Sequence, residues 1–239
     1  MPIVAVGDKR YELSEVLASD RLDALFSDAW TGSRVWNASI FLSKHLLRLH
    51  DERQFITTAL QSVIELGSGC GLIGLVARDV GAAHVVVTDQ AEIVDLLSAN
   101  VAQNTTASSG TGNVHAAEFT WGSPTFRSLW IDNTPFDYIL VSDCTYSEHR
   151  VQLKGCMYTV GINPIYGVDS WRNLARSIRD LGSSTTVCYL SYEERGDNAA
   201  LADFHACSRD YLTHELVLQE GKIHLYRITQ KDLREISSN

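Results

Sequence analysis

At 239 residues, 45% hydrophobic and 21% charged, the chain has the make-up of a globular protein with enough apolar material for a substantial core. Its formal net charge of -9 leaves no basic excess for neutralising phosphates, which argues against a general nucleic-acid binder. No apolar run approaches the roughly 20 residues that span a bilayer, and Met1-Pro2-Ile3-Val4-Ala5-Val6-Gly7-Asp8 has neither the basic nor the long apolar region of a leader, so a cytoplasmic protein off the membrane is expected.

In chain order, Ile3-Val4-Ala5-Val6 and Lys9-Arg10-Tyr11-Glu12-Leu13 flank Gly7-Asp8 and predict a hairpin. Leu22, Leu25 and Phe26 suggest a short amphipathic helix. From Ser39 the spacing of Ile40, Leu42, Leu46, Leu47 and Leu49 predicts a helix facing the core. Trp36 stands just before it and reads equally as a core side chain or as a lid over a bound molecule. Residues 51–61 form a polar connection.

Ser62-Val63-Ile64-Glu65-Leu66 reads as a buried strand. Gly67, Gly69, Gly71 and Gly74 then fall within eight residues, and Leu72, Ile73, Leu75, Val76 and Val80 set a helical period. A second strand over 83–88 ends in Asp89, placed to accept hydrogen bonds from a pair of ribose hydroxyls. Ile93, Val94, Leu96, Leu97 and Val101 predict a helix, 105–113 a polar loop and 114–117 a third strand. Trp121-Gly122 follows, and Trp121 reads equally as core or as a stacking surface for a flat ring. Residues 136–141 predict a fourth strand, with Ser142-Asp143-Cys144-Thr145-Tyr146 as the loop at its carboxyl end. Residues 148–167 show no clear period and read as an inserted loop. A helix over 168–181, a strand over 185–192, a helix over 197–209 and a hairpin of 214–218 with 223–228 close the pattern, before a polar tail from Gln230 expected to fray. Strands alternating with helices predict an α/β protein with a mostly parallel sheet and an antiparallel edge.

Cys70, Cys144, Cys156, Cys188 and Cys207 are dispersed without a CxxC pair, which suits free thiols in a reducing compartment. The eight histidines show no ligand spacing, so no metal is expected. The glycine turn is the chemical centre. Gly69-x-Gly71-x-x-Gly74 satisfies the GxGxxG pattern of dinucleotide sites. Glu65, directly before the glycines, would repel a pyrophosphate but attract a cation. A dinucleotide enzyme would also need a second half-domain, for which the chain has no room. A tight turn without any ligand is the bland alternative.

Glu65-Leu66-Gly67-Ser68-Gly69-Cys70-Gly71 resembles the first motif of class I methyltransferases, and Asp89 resembles their second. Together with Val35-Trp36-Asn37-Ala38, Val86-Val87-Thr88-Asp89, Trp121-Gly122, Asp143-Cys144-Thr145-Tyr146 and Ser191-Tyr192-Glu193-Glu194-Arg195, the chain resembles the seven-strand protein lysine methyltransferases. Within them it is similar to the group of the valosin-containing-protein lysine methyltransferase. That resemblance implies a single Rossmann-like domain over 1–239, with a seven-strand, mostly parallel sheet and an antiparallel C-terminal hairpin. Helices would cover both faces, residues 1–30 would form an N-terminal hairpin extension, and 148–167 would be the insert. It implies S-adenosyl-L-methionine as cofactor, S-adenosyl-L-homocysteine as product and a protein substrate, with a chaperone-like ATPase as one candidate and a monomer as the working form. It further implies that Trp36, Gly67, Ser68, Gly69, Asp89, Trp121 and Ser142 contact the cofactor, with Glu65 beside its cationic centre.

Asp143 and Tyr146 would border the channel for the methyl acceptor. An opposite charge stabilises an ammonium, so Asp143 is expected to capture and orient the lysine, or to touch the cofactor, rather than to act as a strong base. Tyr146 would give a channel wall and a hydroxyl. Loop packing and a capping carboxylate are the plain alternative for the pair. The insert departs from the family pattern directly after Tyr146, where substrate would dock. Nucleic-acid and glutamine methyltransferases of this fold carry Asn/Asp-Pro-Pro-Tyr in that loop, and Cys144 and Thr145 replace both prolines here. A small-molecule methyltransferase and a silent cofactor-binding scaffold remain as alternatives.

Overall fold

Alternation along the strands decides what covers the sheet. In Ser62–Leu66, Ile64 and Leu66 face one side while Val63 and Glu65 face the other; in Tyr138–Ser142, Ile139 and Val141 alternate with Tyr138 and Leu140. Both sides are apolar, so both must be covered, as strands within a parallel sheet require. The computed structural model describes residues 2–16, 32–106, 112–144, 150–153, 156–159, 169–195 and 199–232.

The strands are β1 (Ile3–Val6), β2 (Lys9–Glu12), β3 (Ser62–Leu66), β4 (His84–Asp89), β5 (Asn113–Glu118), β6 (Tyr138–Ser142), β7 (Arg150–Leu153), β8 (Cys156–Thr159), β9 (Val187–Glu193), β10 (Leu212–Glu220) and β11 (Ile223–Gln230). The helices are α1 (Asn37–Asp51), α2 (Leu72–Asp79), α3 (Ala91–Thr106), α4 (Asp169–Leu181) and α5 (Ala199–Ser208). Seven strands form one sheet in the order β10-β11-β9-β6-β3-β4-β5. The pairs β3–β4, β3–β6, β4–β5 and β6–β9 are parallel, and β11 runs antiparallel to both β9 and β10. The predicted mostly parallel sheet with an antiparallel closing hairpin is therefore present.

Two cores result. Leu174, Ile178 and Leu181 of α4 and Leu201 and Phe204 of α5 pack with Ile64, Ile139 and Leu190 on one face. Leu42 and Leu46 of α1, Ile73 and Ala77 of α2, and Leu97 of α3 pack with Val63, Val85 and Leu140 on the other. The hairpin β1–β2 stays outside the sheet and buries Val6 and Tyr11 against Leu72, Leu75 and Val76. Polar clamps hold it there. The Tyr11 hydroxyl donates to Asp79 Oδ2 at 3.1 Å, and the Ser14 and Glu12 amides donate to the side-chain oxygens of Asn100 and Asn104 at 2.7 and 2.9 Å.

One expectation is corrected. The stretch 148–167, read as an inserted loop, contains β7 and β8, an antiparallel pair running from Arg150↔Thr159 to Leu153↔Cys156. Glycines and prolines around so short a pair hid its alternation. The helix expected around Leu22, Leu25 and Phe26, residues 107–111 of the polar loop, and the tail from 233 lie outside the described residues. Cys70, Cys144, Cys188 and Cys207 are free thiols, as expected. Among the described residues no helix is long and apolar enough to cross a membrane, and no group of three His, Cys, Asp or Glu could hold a metal ion.

The join from β3 to α2 carries an unusual burden. Gly71 caps α2 in the left-handed region at φ 84, with no side chain to accept the first-turn amides. Glu65, on the α2 side of β3, supplies the acceptor: its Oε2 takes the Gly74 N–H at 2.9 Å. Glu65 is 2% exposed, and burial pushes its pKa from 4.5 up to about 8. Gly74 is needed because a Cβ there would stand 2.2 Å from Val87 Cγ1 and 3.0 Å from Glu65 Oε2.

Two outcomes follow from this packing. Alanine in place of glycine inside a helix ordinarily gains up to about 1 kcal/mol. Here overpacking outweighs that gain, and Gly74→Ala loses about 1–3 kcal/mol, read as a lower urea midpoint at unchanged m-value. For Glu65, the folded protein holds the proton to higher pH than the unfolded chain does. Stability therefore falls as pH rises from 4.5 to about 8 and is level beyond. Urea titrations across pH 4–9 should show the wild type losing ground to Glu65→Gln over that window; parallel curves would refute the assignment.

Candidate active site

The chain runs from β3 to β4 and β5 on one side, then crosses to β6 on the other. The crevice at the carboxyl ends of β3 and β6 is therefore the topological switch point of the sheet. The predicted residues that the structure describes converge there from four strand ends and one helix start.

The bend after β3 presents backbone rather than side chains. Gly67, Gly69 and Gly71 have φ of 65, 53 and 84°. Space excludes side chains as well. A Cβ on Gly67 would come 2.5 Å from Cys144 Sγ and 3.2 Å from Trp121 Cζ2, and one on Gly69 would come 2.5 Å from the Gly32 carbonyl. Neighbours hold the bend. Ser68 donates its N–H to the Thr88 carbonyl and accepts the Thr88 N–H on Oγ, both at 2.9 Å, which ties the bend to the end of β4. Its hydroxyl donates to the Glu65 carbonyl at 3.2 Å. Asn100 Nδ2 donates to the Cys70 carbonyl at 3.2 Å, and Cys144 Sγ donates to the Leu66 carbonyl at 3.4 Å.

Asp89 closes β4 half-buried. Its Oδ2 accepts the Gly69 N–H and its Oδ1 the Gln90 N–H, each at 2.8 Å. Burial raises its pKa to about 6, against the lowering effect of those two amides. Each oxygen retains lone-pair capacity for a further donor. Glu65 lies beneath the bend, its carboxylate on the Gly74 amide.

On the other side of the crevice, the Ser191 hydroxyl donates to the Ala38 carbonyl and contacts Ser142 Oγ, both at 3.0 Å. This link ties the start of α1, and hence Trp36, to the ends of β6 and β9. Trp36 and Trp121 are both half-buried, Trp121 over Gly67 and against the core on the α4 side. Asp143 follows β6 with a left-handed φ of 56°, a conformation uncommon outside glycine. Its side chain is 2% exposed, accepts the Glu193 N–H on Oδ1 at 3.3 Å and forms an ion pair with Arg195 through Oδ2. Burial still leaves its pKa above the ordinary aspartate value. The Arg195 guanidinium also lies 4.7 Å over the Trp36 ring.

Trp36, Glu65, Gly67, Ser68, Gly69, Asp89, Trp121, Ser142 and Asp143 thus lie around the bend and the adjoining strand ends. Tyr146 lies outside the described residues. Sequence reasoning missed Arg195 as a partner of Asp143. The signal was its position two residues beyond the end of β9, beside β6, but a Glu-Glu-Arg run reads as a solvated strand end. Half-buried indoles, a bare-backbone bend and a carboxylate at the end of β4 suit a ligand with flat, ribose and cationic parts.

A family model described as lysine methyltransferase matches residues 27–157. The protein N-terminal and lysine N-methyltransferase efm7 of Schizosaccharomyces pombe is 31% identical over 138 residues, covering 54% of this chain and 51% of that protein. EEF1A lysine methyltransferase 3 of Xenopus tropicalis is 24% identical over 198 residues, covering 82% of this chain and 74% of that protein. A T. thermophilus 16S rRNA methyltransferase, solved in complex with AdoMet and guanosine, shares the fold at a TM-score of 0.56 and 14% identity, covering 96% of this chain and 50% of that one. The chain spans about half the length of most of the curated relatives it matches. The matched residues are more than half of the sequence, and the chain belongs to the lysine methyltransferase family.

Proposed function

We propose that this protein is an S-adenosylmethionine-dependent methyltransferase acting on the side-chain amine of a lysine in a protein substrate. The observation that carries the reading is the glycine bend of three left-handed residues, with Asp89 on one flank and the Trp36 and Trp121 indoles at the same strand ends. The named activities of the relatives support the amine of a protein as acceptor. Bound there, S-adenosylmethionine would supply a methyl activated by a cationic sulfur for transfer to a neutral amine.

The chain's own residues bind and orient. Gly67 and Gly69 let the backbone approach the donor, Asp89 accepts from the ribose hydroxyls, and the indoles cover apolar faces and exclude water. Ser68 and Ser142 line the bend and the end of β6. Glu65 supports the bend from below through Gly74. Asp143 and Tyr146 border the acceptor channel, with Tyr146 as a wall and hydroxyl. The chain acts as one methyltransferase domain with residues 1–30 as an extension and 148–167 as an insert at the docking side.

The motifs from Val35-Trp36 to Glu194-Arg195 support a place beside the valosin-containing-protein lysine methyltransferase, and with it a chaperone-like ATPase as substrate and a cytoplasmic monomer. One observation favours a second reading, a cofactor-binding scaffold without transfer: the carboxylate assigned to the acceptor side already holds Arg195.

Incubation with S-adenosylmethionine labelled in the methyl group and with cell extract decides between them. Label should appear in a protein and be recovered as methyl-lysine after hydrolysis. Bound cofactor with no labelled protein would favour the scaffold, and label confined to small molecules would overturn the acceptor class. In a binding titration, Asp89→Ala should weaken the cofactor about 10–100-fold, since a hydrogen bond to a charged group contributes about 1.5–3 kcal/mol. Unchanged affinity would remove Asp89 from the site.

A further inference from the structure

The acceptor side of the crevice poses a problem of charge. Only a free amine has the lone pair to attack a methyl, yet lysine has a reference pKa of about 10.4. A carboxylate within about 4–6 Å of an amine raises its pKa by about 1–3 units, which would slow transfer at neutral pH. Asp143, standing at the end of β6 beside the proposed channel, would be such a carboxylate.

Its surroundings answer the problem. Arg195 Nη2 donates to Asp143 Oδ2, and the Asp143 side chain is 2% exposed with that partner in place. The guanidinium is held on further sides. Its Cζ lies 4.7 Å from the centre of the Trp36 ring, and Nη2 reaches Glu193 Oε2 at 3.4 Å. Glu193 in turn accepts from Asn37 Nδ2 at 3.4 Å, so the start of α1 and the ends of β6 and β9 all converge on the one guanidinium. Of the two acids, Glu193 is the more exposed, at 23% of its side chain, and is screened by solvent. The buried charge on Asp143 is the one that needs cancelling. Arginine suits this task better than lysine. It cannot lose its proton, and a planar guanidinium stacks on an indole while pairing at its edge.

We infer that Arg195 is a positioning residue that cancels the charge of Asp143 and thereby lets the acceptor lysine shed its proton at neutral pH. The inference rests on the methyltransferase reading above. Asp143 acts on the substrate as one pole of a neutral pair and does not serve as the lysine's counter-ion. The left-handed backbone at Asp143 aims its carboxylate along β9 toward Arg195 and the Glu193 amide.

The test is the pH dependence of methyl transfer by the full chain over pH 6.5–10.5, with cofactor affinity measured in parallel by calorimetry. In Arg195→Met, the Asp143 charge stands alone. Turnover at pH 7.5 should fall about tenfold or more, and the rising limb should move up by about one unit or more. Cofactor affinity should stay within a few-fold of wild type. In Asp143→Asn, Arg195 stands alone, and the limb should move down in pH. Arg195→Lys should hold the limb near its wild-type position. Opposite displacements in the Met and Asn variants support the inference. A uniform loss of rate with an unmoved limb in either variant overturns it and leaves the pair a structural one. If Arg195→Met does not fold, Arg195→Gln takes its place with the same expected upward displacement, and an unmoved limb in it overturns the inference. A wild type that transfers methyl while the limbs stay fixed defeats this inference only, whereas a wild type that transfers none defeats the function reading and this inference with it.

Discussion

The hydrogen bond from the Gly74 amide to the Glu65 carboxyl oxygen, made inside the sheet–helix interface, fixes how α2 leaves β3. A helix whose cap is Gly71 has no side chain of its own to satisfy its first turn. Satisfaction comes from the strand beneath, by a residue whose burial would otherwise be costly. The glycines are then free to serve shape. Ser68 takes the Thr88 amide, Asn100 takes the Cys70 carbonyl, and Asp89 takes the Gly69 amide, so a stretch with little intrinsic rigidity is held by its neighbours.

The same principle sets the opposite wall. Trp36 has no regular element of its own and stands as the residue before α1. Its place is decided by Ser191, whose hydroxyl reaches the Ala38 carbonyl and Ser142 and so joins α1 to β6 and β9. Ser191 lies on the α1 side of β9, as Glu65 lies on the α2 side of β3. Each is a polar residue at an otherwise apolar face, near a strand's carboxyl end, and each bonds to the start of a helix. The two helix starts that frame the crevice are thereby each tied to the sheet.

Much of this was legible in the sequence because it follows from period. The alternation in 62–66 and 136–141, the glycine spacing and the closing hairpin each specify an element with few rivals. The role of Glu65 was readable too. Its parity with Val63 puts it on the α2 face, but an acid beside glycines invites a ligand as its partner. What the sequence could not show are contacts between residues far apart in the chain. Asp143 and Arg195 are 52 residues apart and meet because β6 and β9 pair in register at Ser142↔Ser191. Asn100 and Asn104 look like ordinary polar positions of a helix, and only the docked hairpin gives their amides work. The pair β7–β8 escaped because four-residue strands among glycines leave no period to read.

The charges of the crevice divide by side. Near neutral pH, Asp89 is ionised, since burial lifts it only to about 6, while Glu65, lifted to about 8, is mostly protonated. The bend therefore presents its negative charge from Asp89, at the surface of the crevice, and keeps the deeper acid neutral. Across the crevice, Asp143 is matched by Arg195. A donor with a cationic sulfur and an acceptor that must be uncharged have opposite electrostatic needs, and they must meet within bonding distance. On the proposed reading, Asp89 meets the ribose of the donor and the Asp143–Arg195 pair stands on the acceptor side with its charges offset, so that fixed groups serve both and no charge has to be moved at the moment of transfer.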